Sequence, residues 1–337
     1  MRRRAAVVAG VGGYVPPTEV TNDDLAQKFD TSDEWIQSRT GIRTRYLAGA
    51  EQATSDLAVQ AGAAALRSAA VEDVDLLILA TTTPDRPCPA TAPAVAASLG
   101  LGHVPAFDLS AVCSGFLYGL AVADGLIGTG AAGRILLIGA DTFSTILNPG
   151  DRSTAAVFGD GAGAVVLRGG DPAEAGAVRH VELGSDGGLA DLITVRAGGS
   201  RLRRQDASAA EAWFAMQGQA VYRHAVRRMT ASARDVLDRT GWTPDDVDLF
   251  IAHQANLRIL ETVAGELGIG PDRVYANVQD VGNTAAASIP LALAHAVTDK
   301  ALDEGHRVLL AAFGGGATWG AATLVWPRLT SDHFEQG

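Results

Sequence analysis

The sequence lacks several features that would point to particular functions. It has only two cysteines, Cys88 and Cys113, in 337 residues. That excludes a disulfide framework and a cysteine-based structural metal site, and it suits a reducing compartment. Lysine is almost missing: Lys28 and Lys300 stand alone, so arginine carries the basic charge. Basic residues number 27 against 38 acidic ones, a formal net charge of −11. With no basic tail or dense Lys/Arg stripe, nucleic acid is excluded as the main partner. No run is read as reaching the ~18 apolar residues of a membrane span, so the expectation is a cytoplasmic protein with no membrane partner. The start imitates a signal peptide, with Arg2–Arg4 before an apolar run. That run ends at Pro16-Pro17 without a small-residue cleavage site and reads as a buried first strand.

What is present is a weak internal duplication. Val74-Asp75-Leu76-Leu77-Ile78-Leu79-Ala80 matches Val247-Asp248-Leu249-Phe250-Ile251-Ala252-His253, and each run follows a helical stretch. Arg134-Ile135-Leu136-Leu137-Ile138 matches Arg307-Val308-Leu309-Leu310-Ala311. The 5–12 strand has a counterpart at 177–184, and each half closes with a strand, 161–167 and 320–325. Short apolar runs without alternation suit strands buried on both faces. Ala-rich amphipathic stretches between them are long enough for crossover helices, which argues for a layered α/β fold. The expected domains are an N-terminal half, 1–170, and a C-terminal half, 171–337, related by a pseudo-twofold axis.

The repeat places the chemistry. Nine residues lead from Val104 to Cys113, and nine from Val274 to Asn283. The expectation is that Cys113 and Asn283 sit at equivalent N-termini of two central helices. His253 ends the strand equivalent to the one ending at Ala80. Strand ends and helix N-termini are where α/β sheets place ligands. A cysteine at a helix N-terminus is expected to favour the thiolate, although a buried packing cysteine is the commoner fate. His253 is a polar residue after an apolar strand and needs a partner. Asn283 is also a plausible N-cap. Phe313-Gly314-Gly315-Gly316 follows a strand and offers bare N–H groups. Gly10-Val11-Gly12-Gly13 lacks the spacing and following helix of a dinucleotide site.

These residues together resemble the β-ketoacyl-acyl-carrier-protein synthase III family of thiolase-fold condensing enzymes. The matching segments are Asp33-Glu34-Trp35-Ile36, Arg39-Thr40-Gly41-Ile42, Ala111-Val112-Cys113-Ser114-Gly115-Phe116, Asp151-Arg152-Ser153-Thr154 and Phe158-Gly159-Asp160-Gly161-Ala162-Gly163. They continue with His253-Gln254-Ala255-Asn256-Leu257-Arg258, Gly282-Asn283-Thr284 and Phe313-Gly314-Gly315-Gly316-Ala317-Thr318-Trp319-Gly320, and they span nearly the whole chain in family order. The resemblance implies a thiolase-like fold: duplicated βαβαβαββ halves in α/β/α/β/α layers. It implies decarboxylative Claisen condensation of an acyl-CoA starter with malonyl-acyl carrier protein, initiating fatty acid or polyketide synthesis through an acyl-Cys113 intermediate. His253 and Asn283 would hold the enolate.

By the same resemblance, the oxyanion hole falls to the N–H groups of Cys113 and Gly315 or Gly316. CoA and pantetheine contacts fall to Trp35, Arg39, Arg152, Met216, Gly218 and Asn256. The acyl pocket falls to Cys88, Phe158, Phe214 and Phe313, and docking of an acidic carrier protein to Arg223 and Arg258. No metal or cofactor is implied, since the CoA thioester is substrate, and a homodimer is. Cys88 stands where typical members carry a large aromatic residue that reaches the partner's acyl pocket, so a larger or unusual starter is expected. Alternatives are acyl transfer to an alcohol, amine or carrier protein without condensation, a cysteine hydrolase, and an inactive partner subunit. The cysteine hydrolase is disfavoured because Cys113 lies mid-chain in a duplicated α/β pattern.

Overall fold

The strand runs are apolar because both faces of each sheet are covered. Arg134–Asp141 is buried from its second residue to its last, and Leu76–Ala80 is buried from its second. In the computed structural model, which describes residues 4–329, these runs lie inside a five-stranded sheet. Arg2 and Arg3 fall outside the described residues. The strand order is Ala5–Tyr14, Gly161–Gly170, Arg134–Asp141, Leu76–Ala80, Ala106–Leu109. The last three run parallel and the first two pair antiparallel.

A second sheet repeats this order with Val178–Ser185, Thr318–Val325, Arg307–Gly314 and Leu249–Ala252. Its fifth member is reduced to one parallel bridge between Val274 and Phe250. The same offset of 173 residues separates Leu76 from Leu249 and Arg134 from Arg307. The strand matches read from sequence are therefore real structural equivalents.

Two helices fill the space between the sheets. Gly115–Thr129 packs on strands of both sheets, and Ser288–Thr298 packs mainly on the first sheet while also touching Leu249–Ala252. Both are apolar on most faces, as a helix covered all round must be. Thr54–Ser68 covers the outer face of the first sheet, and Gly218–Thr240 that of the second, with Leu257–Leu267 packed beside it. The result is the expected α/β/α/β/α layering of the thiolase-like fold. One expectation needs correction. Val112–Thr129 is long and apolar enough to cross a membrane by length and composition. Half of that stretch is buried inside the protein, and it is the core helix between the sheets.

The layers meet at close backbone contacts that admit no side chain. A Cβ on Gly163 would lie 2.3 Å from the Leu291 nitrogen, and one on Gly139 would lie 2.3 Å from the Ala286 carbonyl oxygen. Both glycines sit in adjacent strands facing the second central helix. Backbone cannot yield as a flexible side chain does, so Gly163→Ala must push helix from sheet. The expected cost is about 1–3 kcal/mol, measured as a lower denaturant midpoint with an unchanged slope.

Candidate active site

Cys113 lies in a single turn of 3₁₀ helix, Val112–Ser114, that leads into Gly115–Thr129. Val112 has φ +48, a conformation that costs a β-branched residue about 1–2 kcal/mol. The second central helix begins the same way: a 3₁₀ turn, Ala285–Ala287, opened by Ala285 at φ +49. Val112 and Ala285 are again 173 residues apart. The equivalent of Cys113 is therefore Ala286, and the expected equivalence with Asn283 is wrong. Counting from the preceding strand misleads because the connection from Val274 to the turn is longer than its counterpart.

Asn283 instead precedes the second turn and caps it. Its Oδ1 accepts the Ala285 N–H at 3.0 Å. This fixes the amide, so the Nδ2 end is left without a protein partner among the described residues. His253 extends the Leu249–Ala252 strand, its N–H donating to the Ala311 carbonyl at 2.8 Å. Gln254 locks the following turn by donating to the Ala252 carbonyl and accepting the Asn277 N–H.

Cys113, His253 and Asn283, each at least 93% buried, line one cavity of about 430 Å³. The sequence-predicted set is thus brought together. The Nδ1 of His253 lies 2.6 Å from Ser288 Oγ, which also accepts the Gln254 N–H at 3.3 Å. A buried hydroxyl has one proton to place. The imidazole is its only acceptor among the described residues, so Ser288 donates to Nδ1 and Nε2 carries the ring proton. Burial holds His253 neutral by pulling its pKa down to about 3. The imidazole and the Asn283 amide are thus both neutral donors.

Burial also corrects the thiolate expectation. The Cys113 thiol is pushed up to about 12, mainly by desolvation and further by the buried Asp141 carboxylate. Loss of water outweighs the helix N-terminus, so the resting group is a thiol. Its N–H finds no backbone acceptor among the described residues. Gly314 packs directly behind it: a Cβ there would lie 2.9 Å from the Cys113 nitrogen. Gly315 is buried and packs against Val112, whereas Gly316 is exposed at the hairpin tip with φ +131.

Most of the remaining cavity wall is apolar. Phe158, Phe214 and Phe313 line it as expected, and so does Phe143, which the sequence reading missed. Phe143 stacks on Phe158 at 4.4 Å, and both meet Phe214 edge-on at 5.1 Å. Arg39, Met216, Gly218, Asn256 and Arg258 also line it, and Arg223 joins six of its residues around an adjoining recess. Asn256 is occupied as an N-cap, accepting the Arg258 N–H and donating to the Arg39 carbonyl.

Two predicted groups lie elsewhere. Cys88 is exposed on a loop and does not line this cavity; its expected place is the acyl pocket of a partner copy. Trp35 and Arg152 lie outside the cavity too, with Arg152 over the indole at 5.0 Å and Arg39 at 4.3 Å. A ring held between indole and guanidinium needs two contacts of ~3.5 Å each, so Arg152 must move before anything stacks there. Ser288, Asp141 and Phe143 are common residue types with no motif of their own. Only the proximity of Ser288 to Asn283 in Gly-Asn-Thr-Ala-Ala-Ala-Ser offered a signal.

Residues 107–187 match the family 3-oxoacyl-(acyl-carrier-protein) synthase III, and residues 237–326 match its C-terminal part. A β-ketoacyl-(acyl-carrier-protein) synthase III of Streptomyces coelicolor is 58% identical over 332 residues, covering 97% of this chain and 98% of the relative. A crystal structure of 3-oxoacyl-(acyl carrier protein) synthase III, FabH, from Pseudomonas aeruginosa is similar with TM-score 0.92 and 51% identity, covering 97% of this chain and all of that one. The priming β-ketosynthase of a polyketide biosynthetic pathway is similar with TM-score 0.90 and 32% identity, covering 97% of each chain.

The thiol state is open to a direct check. Iodoacetamide labelling of Cys113, followed by peptide mass analysis, should be slow at pH 7. Because the pKa is raised, the thiolate fraction should grow about tenfold per pH unit, climbing without a plateau to pH 10. A plateau below pH 8 would mean a lowered pKa.

Proposed function

The chain belongs to the 3-oxoacyl-(acyl-carrier-protein) synthase III family, and from that premise we propose that Cys113, His253 and Asn283 divide its two reaction stages between them. The enzyme is an acyltransferase of the condensing type, initiating fatty acid synthesis by joining an acyl-CoA to malonyl-acyl carrier protein. In the first stage Cys113 Sγ attacks the thioester carbonyl. The bond to the CoA sulfur breaks, and the thiol proton ends on that sulfur. The N–H groups of Cys113 and Gly315 receive the developing oxyanion. Gly316, exposed at the hairpin tip, is left out.

In the second stage the malonyl carboxylate leaves as CO2, and its bonding pair becomes an enolate on the carrier thioester. His253 Nε2–H and Asn283 Nδ2 hold that charge without supplying a proton. The carbanion attacks the acyl-Cys113 carbonyl, and sulfur departs with the bonding pair. The departing thiolate then takes one proton from solvent, which restores the resting thiol. The bound CoA thioester is substrate, and no further cofactor enters these steps. Phe143, Phe158 and Phe214 form the wall that meets the acyl chain, and Phe313 lies beside the carboxylate and favours its loss.

Binding follows the surface outward from the cavity. Trp35, Arg39 and Arg152 take the CoA adenine end, and Met216, Gly218 and Asn256 flank pantetheine. Arg223 and Arg258 meet the acidic carrier protein, a local attraction that a chain at −11 must supply through clustered charge. The two halves, 1–170 and 171–337, contribute the cysteine and the His–Asn pair respectively. A cytoplasmic homodimer would carry Cys88 to the partner's acyl pocket, where its small side chain leaves room for a longer or branched starter. Priming of polyketide synthesis is a second reading, favoured by the likeness to a priming β-ketosynthase.

The observation that supports this mechanism best is the shared cavity of thiol, neutral imidazole and oriented carboxamide. The test is intact-mass analysis after incubation with a panel of acyl-CoAs, paired with CO2 release from malonyl-acyl carrier protein. Wild type should gain one acyl mass, mapped to Cys113, and Cys113→Ala none. Asn283→Ala should still acylate while CO2 release falls about 10²–10³-fold. Equal loss of both activities in Asn283→Ala would refute the division of labour. Exclusive acylation by acetyl-CoA would refute the Cys88 argument.

A further inference from the structure

Asp141 is a buried carboxylate that the mechanism above does not use. It ends the Arg134–Asp141 strand and is completely buried. Its Oδ1 accepts from Thr82 N at 2.7 Å, Thr83 N at 3.1 Å, Thr83 Oγ1 at 3.0 Å and Thr81 Oγ1 at 3.2 Å. Its Oδ2 accepts the Ala286 N–H at 2.9 Å, a contact between the two halves of the chain. No cation pairs with it among the described residues, so its five donors alone hold the charge.

The duplication gives this contact a meaning. Under the 173-residue offset, Asp141 corresponds to Gly314, and Ala286 to Cys113. Each half thus has a 3₁₀ turn opened by a residue at φ near +48, with the end of a strand from the other half packed behind it. Behind Cys113 that strand end is Gly314, which has no side chain, and the Cys113 N–H stays unclaimed by backbone. Behind Ala286 it is Asp141, whose oxygen sits on the equivalent N–H.

We propose that Asp141 is a positioning residue: its carboxylate fills, in one half, the anion-receiving turn that the other half keeps open, and so holds the Ala285–Ala286 peptides that aim the Asn283 amide into the cavity. Two adjacent N–H groups are held in series, Ala285 by Asn283 Oδ1 and Ala286 by Asp141 Oδ2. Releasing the second lets the left-handed Ala285 relax, and the amide orientation goes with it.

Asp141→Asn is the sharpest change. With Oδ1 kept on its four donors, the new NH2 group faces the Ala286 N–H, donor against donor. The assay rests on the condensation reading, so a second readout is independent of it. Expected is a fall of about 10- to 100-fold in CO2 release from malonyl-acyl carrier protein, with Cys113 acylation by acyl-CoA kept within about threefold. Amide hydrogen exchange should quicken at Asn283–Ala287 and stay unchanged at Val112–Gly115. Thr81→Val, which removes one donor without changing shape, should shift both readouts the same way by less. Parallel loss of acylation and CO2 release, or exchange that quickens equally in both turns or in neither, overturns the proposal. If wild type releases no CO2, the condensation reading falls instead, and the exchange comparison still decides the role of Asp141.

Discussion

The dry space between the two sheets is the constraint from which the site follows. A polar group placed there has lost water and must find its partners in protein or in substrate. His253 meets this with Ser288, Asn283 with the Ala285 N–H, and Asp141 with five donors. The same loss of water keeps the imidazole neutral and the thiol protonated. Reactive groups are thus held ready but uncharged until a substrate arrives with its own dipoles. The fold supplies rigidity for this through contacts such as those at Gly139 and Gly163, where strand and helix backbones meet with nothing between them.

Much of the architecture was legible in the sequence, because strands buried on both faces must be apolar without alternation. Leu76–Ala80 and Leu249–Ala252 show it, as do Arg134–Asp141 and Arg307–Gly314. The convergence of Cys113, His253 and Asn283 followed from the order of those runs. Their exact correspondence did not, since loop lengths differ between halves while the 173-residue offset holds only for the Leu76/Leu249 and Arg134/Arg307 strands and the two 3₁₀ turns. The ionisation state of Cys113 was also out of reach: a helix N-terminus can be read from spacing, but desolvation depends on what packs around it. Ser288, Phe143 and Asp141 were invisible for a related reason. Nothing local distinguishes a serine in an alanine run that will face an imidazole, or an aspartate at a strand end that will cross to the other half.

Duplication explains how one geometry serves two ends. Both central helices begin with a strained turn, and the residue packed behind each turn decides its use. Gly314 leaves space beside Cys113, whereas Asp141 occupies the space beside Ala286. The active site is asymmetric although its scaffold is nearly symmetric, and a single side chain carries much of that difference.

The apolar stretch Val112–Thr129 has a consequence for biosynthesis. It is covered on one side by the first sheet and on the other by strands within Val178–Val325. Until the ribosome has released that later segment, a span-like hydrophobic helix has only half its cover. The nascent chain therefore passes through a stage in which its greasiest element is bare, and it depends on rapid completion or on a chaperone to avoid sticking to its neighbours or being misrouted to a lipid surface.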